Sequence, residues 1–244
     1  MFVSDHTTKV FDADLTKLTH NVAEMGGCAQ KQVIDAMDAL TRRDMALAQQ
    51  VIAADATVDA LQRQIEQKAI ETIALRQPMA VDLRSLIAVL RIANDLERIG
   101  DLAKNIGKRA IAMGYDYPAR SLARGLRNMT TLAVAQLNAV LDSFVTRSVE
   151  RALKIWEDDK DIDTLYVSLF RELLTYTMED PGSISMCIHL LFCAKNIERI
   201  GDHATNIAEA VHYMIEGHAI AGERPKGDAF GRLGEIHDSV IVTA

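Results

Sequence analysis

An all-α fold, two up-down-up three-helix bundles related by an internal pseudo-twofold, follows from three observations on this 244-residue chain. Apolar residues recur at three- and four-residue spacing almost throughout, the pattern of amphipathic helices. Only four prolines and thirteen glycines interrupt a composition that is 49% hydrophobic but just 5% aromatic, which favours long helices over sheet. A block of thirteen residues occurs twice, at 94–106 and again 101 positions later at 195–207, with Glu-Arg-Ile-Gly-Asp identical in both copies. A repeat of that period sets the architecture before any local reading does.

The elements follow in order. Leu15, Leu18, Val22, Met25, Val33, Met37 and Leu40 form the apolar stripe of a first helix, broken at Thr41-Arg42-Arg43-Asp44, where Asp44 is placed to cap the next. A second helix spans Met45 to about Arg76, and Pro78 marks its boundary with a third. That third helix carries the first motif and ends near Gly114, closing a first repeat over 8–117. The second repeat, 118–217, copies the plan. One helix runs from Ala119 to Val145, and Ser148 stands 104 positions after Asp44 as its counterpart cap. The next helix is expected to continue unbroken to about Met178, before a turn at Glu179-Asp180-Pro181-Gly182. The last carries the second motif and ends at Gly217. Helices of about 30 residues are ~45 Å long, and short links make neighbours antiparallel. Residues 218–244 are polar and turn-rich and read as a mobile tail.

A net charge of −7 and a pI near 5.5 argue against nucleic acid as a partner. Arg120, Arg124 and Arg127 read as a solvated helix face. The cysteines, Cys28, Cys187 and Cys193, are odd in number and form no C-x-x-C pair, which fits a reducing cytoplasm better than a disulfide or a zinc finger. The opening residues show no basic-then-apolar leader, and no run reaches the ~18 apolar residues of a membrane span, so direct membrane insertion is not expected.

The repeated residues are acidic and polar at helical spacing. Glu97 and Asp101 share one helix face with Asn105 a turn further on, and Glu198, Asp202 and Asn206 repeat the arrangement. The preceding helix of each half adds Asp55 and Asp59, matched by Asp159 and Asp163. If the faces meet, four carboxylates and an amide oxygen converge in each half. Like charges one turn apart cost a helix ~0.2–0.5 kcal/mol per pair, and a cation would relieve that. Oxygen-only donors suit hard cations such as Fe³⁺, Mg²⁺, Mn²⁺ or Ca²⁺. Gly100 and Gly201 stand where a ferritin-type Glu-x-x-His would need histidine, so an oxygen-activating di-iron centre is not expected. A mid-helix glycine costs ~1 kcal/mol against alanine, which points to close helix approach or room for a ligand. The competing reading is that these acids are salt-bridged, Asp101 with Arg98 or Lys104 for example. Arg98 and Arg199 are read as bracing acids, His203 as a possible extra ligand, and His189 and the methionines as core.

Three segments carry a family resemblance: Gln77-Pro78-Met79-Ala80-Val81-Asp82-Leu83-Arg84; Leu96-Glu97-Arg98-Ile99-Gly100-Asp101; and the run from Ile197 through Glu198-Arg199-Ile200-Gly201-Asp202-His203 to Glu209. Together with the closing Val211–Gly217 they resemble the PhoU family, accessory regulators of bacterial phosphate transport, over about residues 8 to 217. The resemblance implies a cytoplasmic, usually dimeric protein. It implies an adaptor between the ATPase subunit of the phosphate ABC transporter and a membrane sensor histidine kinase, one that keeps the phosphate-starvation response off when phosphate is plentiful. Relatives bind iron, zinc or other metals, magnesium and manganese being further candidates. Carried over, the resemblance assigns one cluster to Asp55, Asp59, Glu97, Asp101 and Asn105, and a second to Asp159, Asp163, Glu198, Asp202 and Asn206.

No glycine-rich phosphate loop, nucleophile elbow or triad pattern is present, so the leading expectation is a non-enzymatic adaptor. A metal-dependent hydrolase of a phosphorylated compound and a purely structural scaffold are the alternatives.

Overall fold

The computed structural model describes residues 4–114, 120–158, 160–222 and 224; the side chains of 4–9 are excepted. Seven α-helices and one short 3₁₀ turn make up the described residues, with no strand among them: α1 (Ser4–Arg42), α2 (Met45–Arg76), α3 (Val81–Met113), α4 (Arg120–Thr146), α5 (Val149–Glu157), α6 (Lys160–Glu179) and α7 (Ile184–Glu216), the 3₁₀ turn at Pro181–Ser183 preceding α7.

Local chemistry sets the boundaries. α1 ends with Arg43 in the left-handed region (φ 60°), and the Asp44 amide donates back to Ala39 O at 3.0 Å. α4 ends the same way, with Arg147 at φ 51° and the Ser148 amide donating to Ser143 O at 3.0 Å. These are Schellman closures at equivalent points of the two halves. The residue that completes each closure also caps the next helix: Asp44 Oδ1 accepts from Leu47 N at 2.9 Å, and Ser148 Oγ from Arg151 N at 3.4 Å. Two-residue links of this kind turn α1 against α2 and α4 against α5.

The two motif helices sit at the centre. α3 packs on α1 and α2, α7 packs on α4, α5 and α6, and α3 and α7 pack extensively on each other. Leu86, Ile92, Leu96, Ile99 and Ile106 from α3 and Leu190, Ile197, Ile200, Ile207 and Val211 from α7 are fully buried. Each such side chain contributes roughly 1.5–3 kcal/mol of burial. Arg109 lies over the Phe192 ring at 4.0 Å and Arg91 over Tyr213 at 5.2 Å, both across the α3–α7 seam. α1 also packs on α4, where Gly26 leaves the space that Leu141 fills; a Cβ there would stand 2.6 Å from Leu141 Cδ1.

Two expectations need correction. The middle helix of the second half is not continuous: α5 stops at Asp158, whose amide closes on Lys154 O at 3.0 Å, and α6 starts at Lys160. Four acids, Glu157, Asp158, Asp159 and Asp161, crowd the five positions from 157 to 161, whereas α2 carries Asp55 as the one acid among Ala53, Ala54, Ala56 and Thr57 at the matching point. Nor are all methionines core: Met79, in the turn joining α2 to α3, and Met178, in the last turn of α6, are 80% and 83% exposed. Most of the 218–244 tail lies outside the described residues, but 218–222 and Arg224 fold back on the body. All three cysteines are free; burial pushes the Cys193 thiol up to about 12.

Candidate functional site

In the first half, the acidic faces of α2 and α3 meet. Gly100 eases this: a Cβ there would stand 3.1 Å from Gln32 Oε1 of α1 and 3.3 Å from Val58 Cγ1 of α2, so glycine lets α3 lie this close to both without either neighbour giving way. The same approach recurs at Gly201 against Ile162 and Gln136, at positions matching those of the first half. Close helix approach is therefore what the two motif glycines provide.

Asp55, buried on α2, and Asp101 on α3 share the ammonium of Lys104, which donates to Asp101 Oδ1 at 2.8 Å and to Asp55 Oδ2. Those two hydrogen bonds push the Lys104 ammonium well above the ordinary lysine value. Glu97 lies beside them with Arg98 Nε at 3.6 Å, and Arg98 also reaches Asp101 at 3.9 Å. Burial, reinforced by Asp101 and, more weakly, Asp59 and Asp55, pushes the Glu97 carboxyl up, while Arg98 opposes. Asp55, Asp59, Glu97 and Asp101 thus form one electrostatic cluster. Asn105 is exposed and is not drawn into it.

The second half is built differently. Burial pushes the Glu198 carboxyl up, with Asp202 and Asp163 adding to the shift and Lys195, bonded at 2.7 Å, opposing it. Glu198 Oε2 is buried with no hydrogen-bond partner. Asp163, Glu198 and Asp202 therefore come together; Asp159 lies outside the described residues. Thr205 stands where the first half has Lys104, and the cation comes instead from far along the chain: Arg224 donates to Asp202 Oδ1 at 2.8 Å and to Asn206 Oδ1 at 3.4 Å. Asn206 also donates to Asp95 of the first half at 3.4 Å, so it faces the seam between halves. His203 Nδ1 lies 2.8 Å from the same Asp95 oxygen.

As these side chains stand, no three His, Cys, Asp or Glu among the described residues are close enough to hold one metal ion. The donor set is nonetheless the oxygen-rich one that hard cations take, and the orphaned Glu198 oxygen offers a free ligand. Lys104 and Arg224 hold the positions from which a cation would neutralise these acids.

Sequence reasoning missed three contacts here: the bridging of Asp55 by Lys104, the Asp95–His203 pair, and Arg224. The second was visible as two departures from repeat symmetry, Asp95 against Asn196 and His203 against Leu102, that meet each other across the seam.

The PhoU domain family model matches the chain twice, at residues 22–110 and 126–211. The chain belongs to the PhoU family. A Rhizobium meliloti (strain 1021) relative, the phosphate-specific transport system accessory protein PhoU homolog, is 55% identical over 233 residues, covering 96% of this chain and 98% of that protein. The Caulobacter vibrioides (strain NA1000 / CB15N) homolog of the same name is 49% identical over 230 residues, 94% of this chain and all of its own. The crystal structure of PhoU from Pseudomonas aeruginosa superposes with a TM-score of 0.81 at 37% identity, covering 85% of this chain and 100% of that one. The phosphate transport system regulatory protein PhoU from Streptococcus pneumoniae gives 0.80 at 27% identity, over 87% of this chain and 100% of its own. The PhoU fold of two three-helix bundles is thus shared with solved members of the family. Both matched segments span a motif helix, so the acidic faces sit inside the family's repeated unit.

Proposed function

We propose that this chain is the accessory regulator of a phosphate-uptake system. It acts as a non-enzymatic adaptor between the transporter's ATPase subunit and a sensor histidine kinase, and it keeps the starvation response off while phosphate is plentiful. The observation that carries this reading is near full-length similarity, 55% identity over 96% of the chain, to a relative named for phosphate-specific transport. The helical surface supports an adaptor. The acids of the motif faces are engaged by Lys104, Arg98, Lys195 and Arg224, an arrangement that braces helices. Leu174, Met178, Ile184, Ile188 and Phe192 stay exposed near the α6–α7 turn and offer apolar area to a partner. No helix among the described residues is long and apolar enough to cross a membrane, so contact with a membrane system is proposed to run through proteins.

The reading includes a cytoplasmic location, a homodimer, and cation binding at the two acidic faces. Asp55, Asp59, Glu97 and Asp101 would hold a cation in the first half and Asp163, Glu198 and Asp202 in the second, with iron, zinc, magnesium or manganese as the ions. A bound cation would supply charge neutralisation between the paired helices, with Lys104 and Arg224 swinging aside. The test is a phosphate-starvation reporter at high phosphate, with and without this gene. Constitutive output without the gene is expected; equally low output in both strains would defeat the regulatory reading.

A further inference from the structure

The segment after α7 is held in place by specific chemistry. Gly217 turns it back at φ 80°, where a Cβ would stand 3.0 Å from the Arg84 guanidinium, so the turn requires glycine. His212 Nδ1 donates to His218 O at 3.1 Å, and the two imidazoles meet edge-on at 5.3 Å. The chain then runs along the seam between the halves and forms one wall of a 370 Å³ pocket. Asp95, Trp156, Asn206, Glu209 and Tyr213 line the other walls, from α3, α5 and α7. Arg224 stands in it, belonging to no helix, yet its side chain is only 16% exposed. Its guanidinium donates to Asp202 Oδ1 at 2.8 Å, to Asp202 O at 3.4 Å and to Asn206 Oδ1 at 3.4 Å.

Charge explains the seat. Asp95, Asp202 and Glu209 bring three carboxylates to the pocket and its rim, against Arg91 as the helix-borne arginine among its lining residues. Asp95 is tied to His203 and Asn206, and Glu209 accepts from Trp156 Nε1 at 3.0 Å. Asp202 takes its arginine from the chain's own tail. The first half has no such arrangement, because Lys104 supplies that charge from within α3. A planar guanidinium fits a carboxylate beside a carbonyl and an amide oxygen better than a lysine ammonium would.

We propose that residues 217–222 with Arg224 are a strap over an acidic socket, and that the socket is a docking seat for an arginine-bearing segment of a protein partner, for which Arg224 stands in. Strap and partner segment compete, so the seat is shielded until a partner of that chemistry displaces the tail. The inference goes beyond the accessory-protein reading and does not depend on it.

Trp156, the chain's single tryptophan, lines the pocket and reports on it directly. The experiment uses the full chain, wild type and Arg224→Gln, in chelator. A synthetic peptide of residues 217–226 and its glutamine counterpart at the arginine are titrated by calorimetry and by Trp156 fluorescence. The variant's emission is expected to shift to the red and to return when the arginine peptide binds. Wild type should bind that peptide at least about tenfold more weakly, because its own strap competes at a millimolar effective concentration. The glutamine peptide should not bind, and adding Asp202→Asn to the variant should abolish binding of the arginine peptide. Equal peptide affinity for wild type and variant, no binding to either, or equally tight binding of the glutamine peptide would each overturn the proposal. Circular dichroism establishes that the variants stay helical.

Discussion

Replacing Lys104 with methionine keeps the aliphatic stem that packs along α3 and removes only the charge. Two carboxylates then lose their shared donor. The pair lies between surface and core: the Lys104 side chain is 23% exposed, that of Asp55 9% and that of Asp101 34%. Exposed pairs contribute about 0–1 kcal/mol, whereas removing one partner of a buried pair costs about 3–5 kcal/mol. An intermediate loss of about 2 kcal/mol is expected, measured by urea unfolding in chelator. The pH dependence follows from the direction of the shift. A lysine whose folded pKa is raised contributes stability that is complete below its ordinary value and lost as pH rises through the folded one. The gap between wild type and variant should therefore be flat between about pH 6 and pH 9 and close only in strong alkali. With the ammonium gone, a divalent or ferric ion should restore stability, by about 2.7 kcal/mol at a hundredfold excess over its Kd. A loss below about 0.5 kcal/mol would refute the reasoning, showing the bridge to be a solvated surface pair.

Alanine at the two motif glycines separates their surroundings. At Gly100 the new methyl meets Val58 Cγ1 on a stiff β-branched side chain and Gln32, whose amide is tethered to Val51 O, so Gly100→Ala should lose about 1–2 kcal/mol despite its helix gain. At Gly201 the 2.6 Å contact is with the rotatable end of Ile162, and the Gln136 amide is untethered, so Gly201→Ala should unfold within about 0.5 kcal/mol of wild type; denaturant midpoints decide both. Glu198→Gln tests the raised carboxyl. A raised acid weakens the fold above its folded pKa and is relieved as pH falls, so wild type should gain on the variant by a few tenths of a kcal/mol from neutrality down to about pH 4 in chelator. A gap that widens the other way would show Lys195 outweighing burial.

How far this molecule can be read from its sequence depends on the range of each interaction. Helix ends were legible because they are local: Asp44, Ser148, Gly114 and Gly217 close or open helices through bonds to residues a few positions away. The internal repeat showed which acids recur at matching positions of the two halves, and left open whether their faces meet. The α5–α6 break was not legible, because apolar spacing from Ile155 in α5 to Ile162, Leu165 and Leu169 in α6 continues across it while the helix does not. Asn105 and Asn206 looked equivalent by spacing, yet one is exposed and the other turns to the seam. Their separation comes from Asp95 and Arg224, 111 and 18 positions from Asn206. Arg224 sits in a stretch whose composition suggests only a solvated tail, and nothing local marks it as the counter-ion of Asp202.

The α3–α7 seam has an evolutionary consequence. An identical pentapeptide on the two helices at the middle of one shared core is what duplication and fusion of a three-helix ancestor would leave. A lone ancestral unit would have exposed the apolar face that α3 now gives to α7, and pairing with a twin would have been its way to hide it. Fusion replaced a concentration-dependent association with a covalent one and released the copies from identity. Lys104 could then become Thr205 in the sister copy, and α2's unbroken counterpart could become α5 and α6, each change confined to one side. Internal asymmetry of that kind is open to a fused chain and closed to a strict homodimer of identical halves.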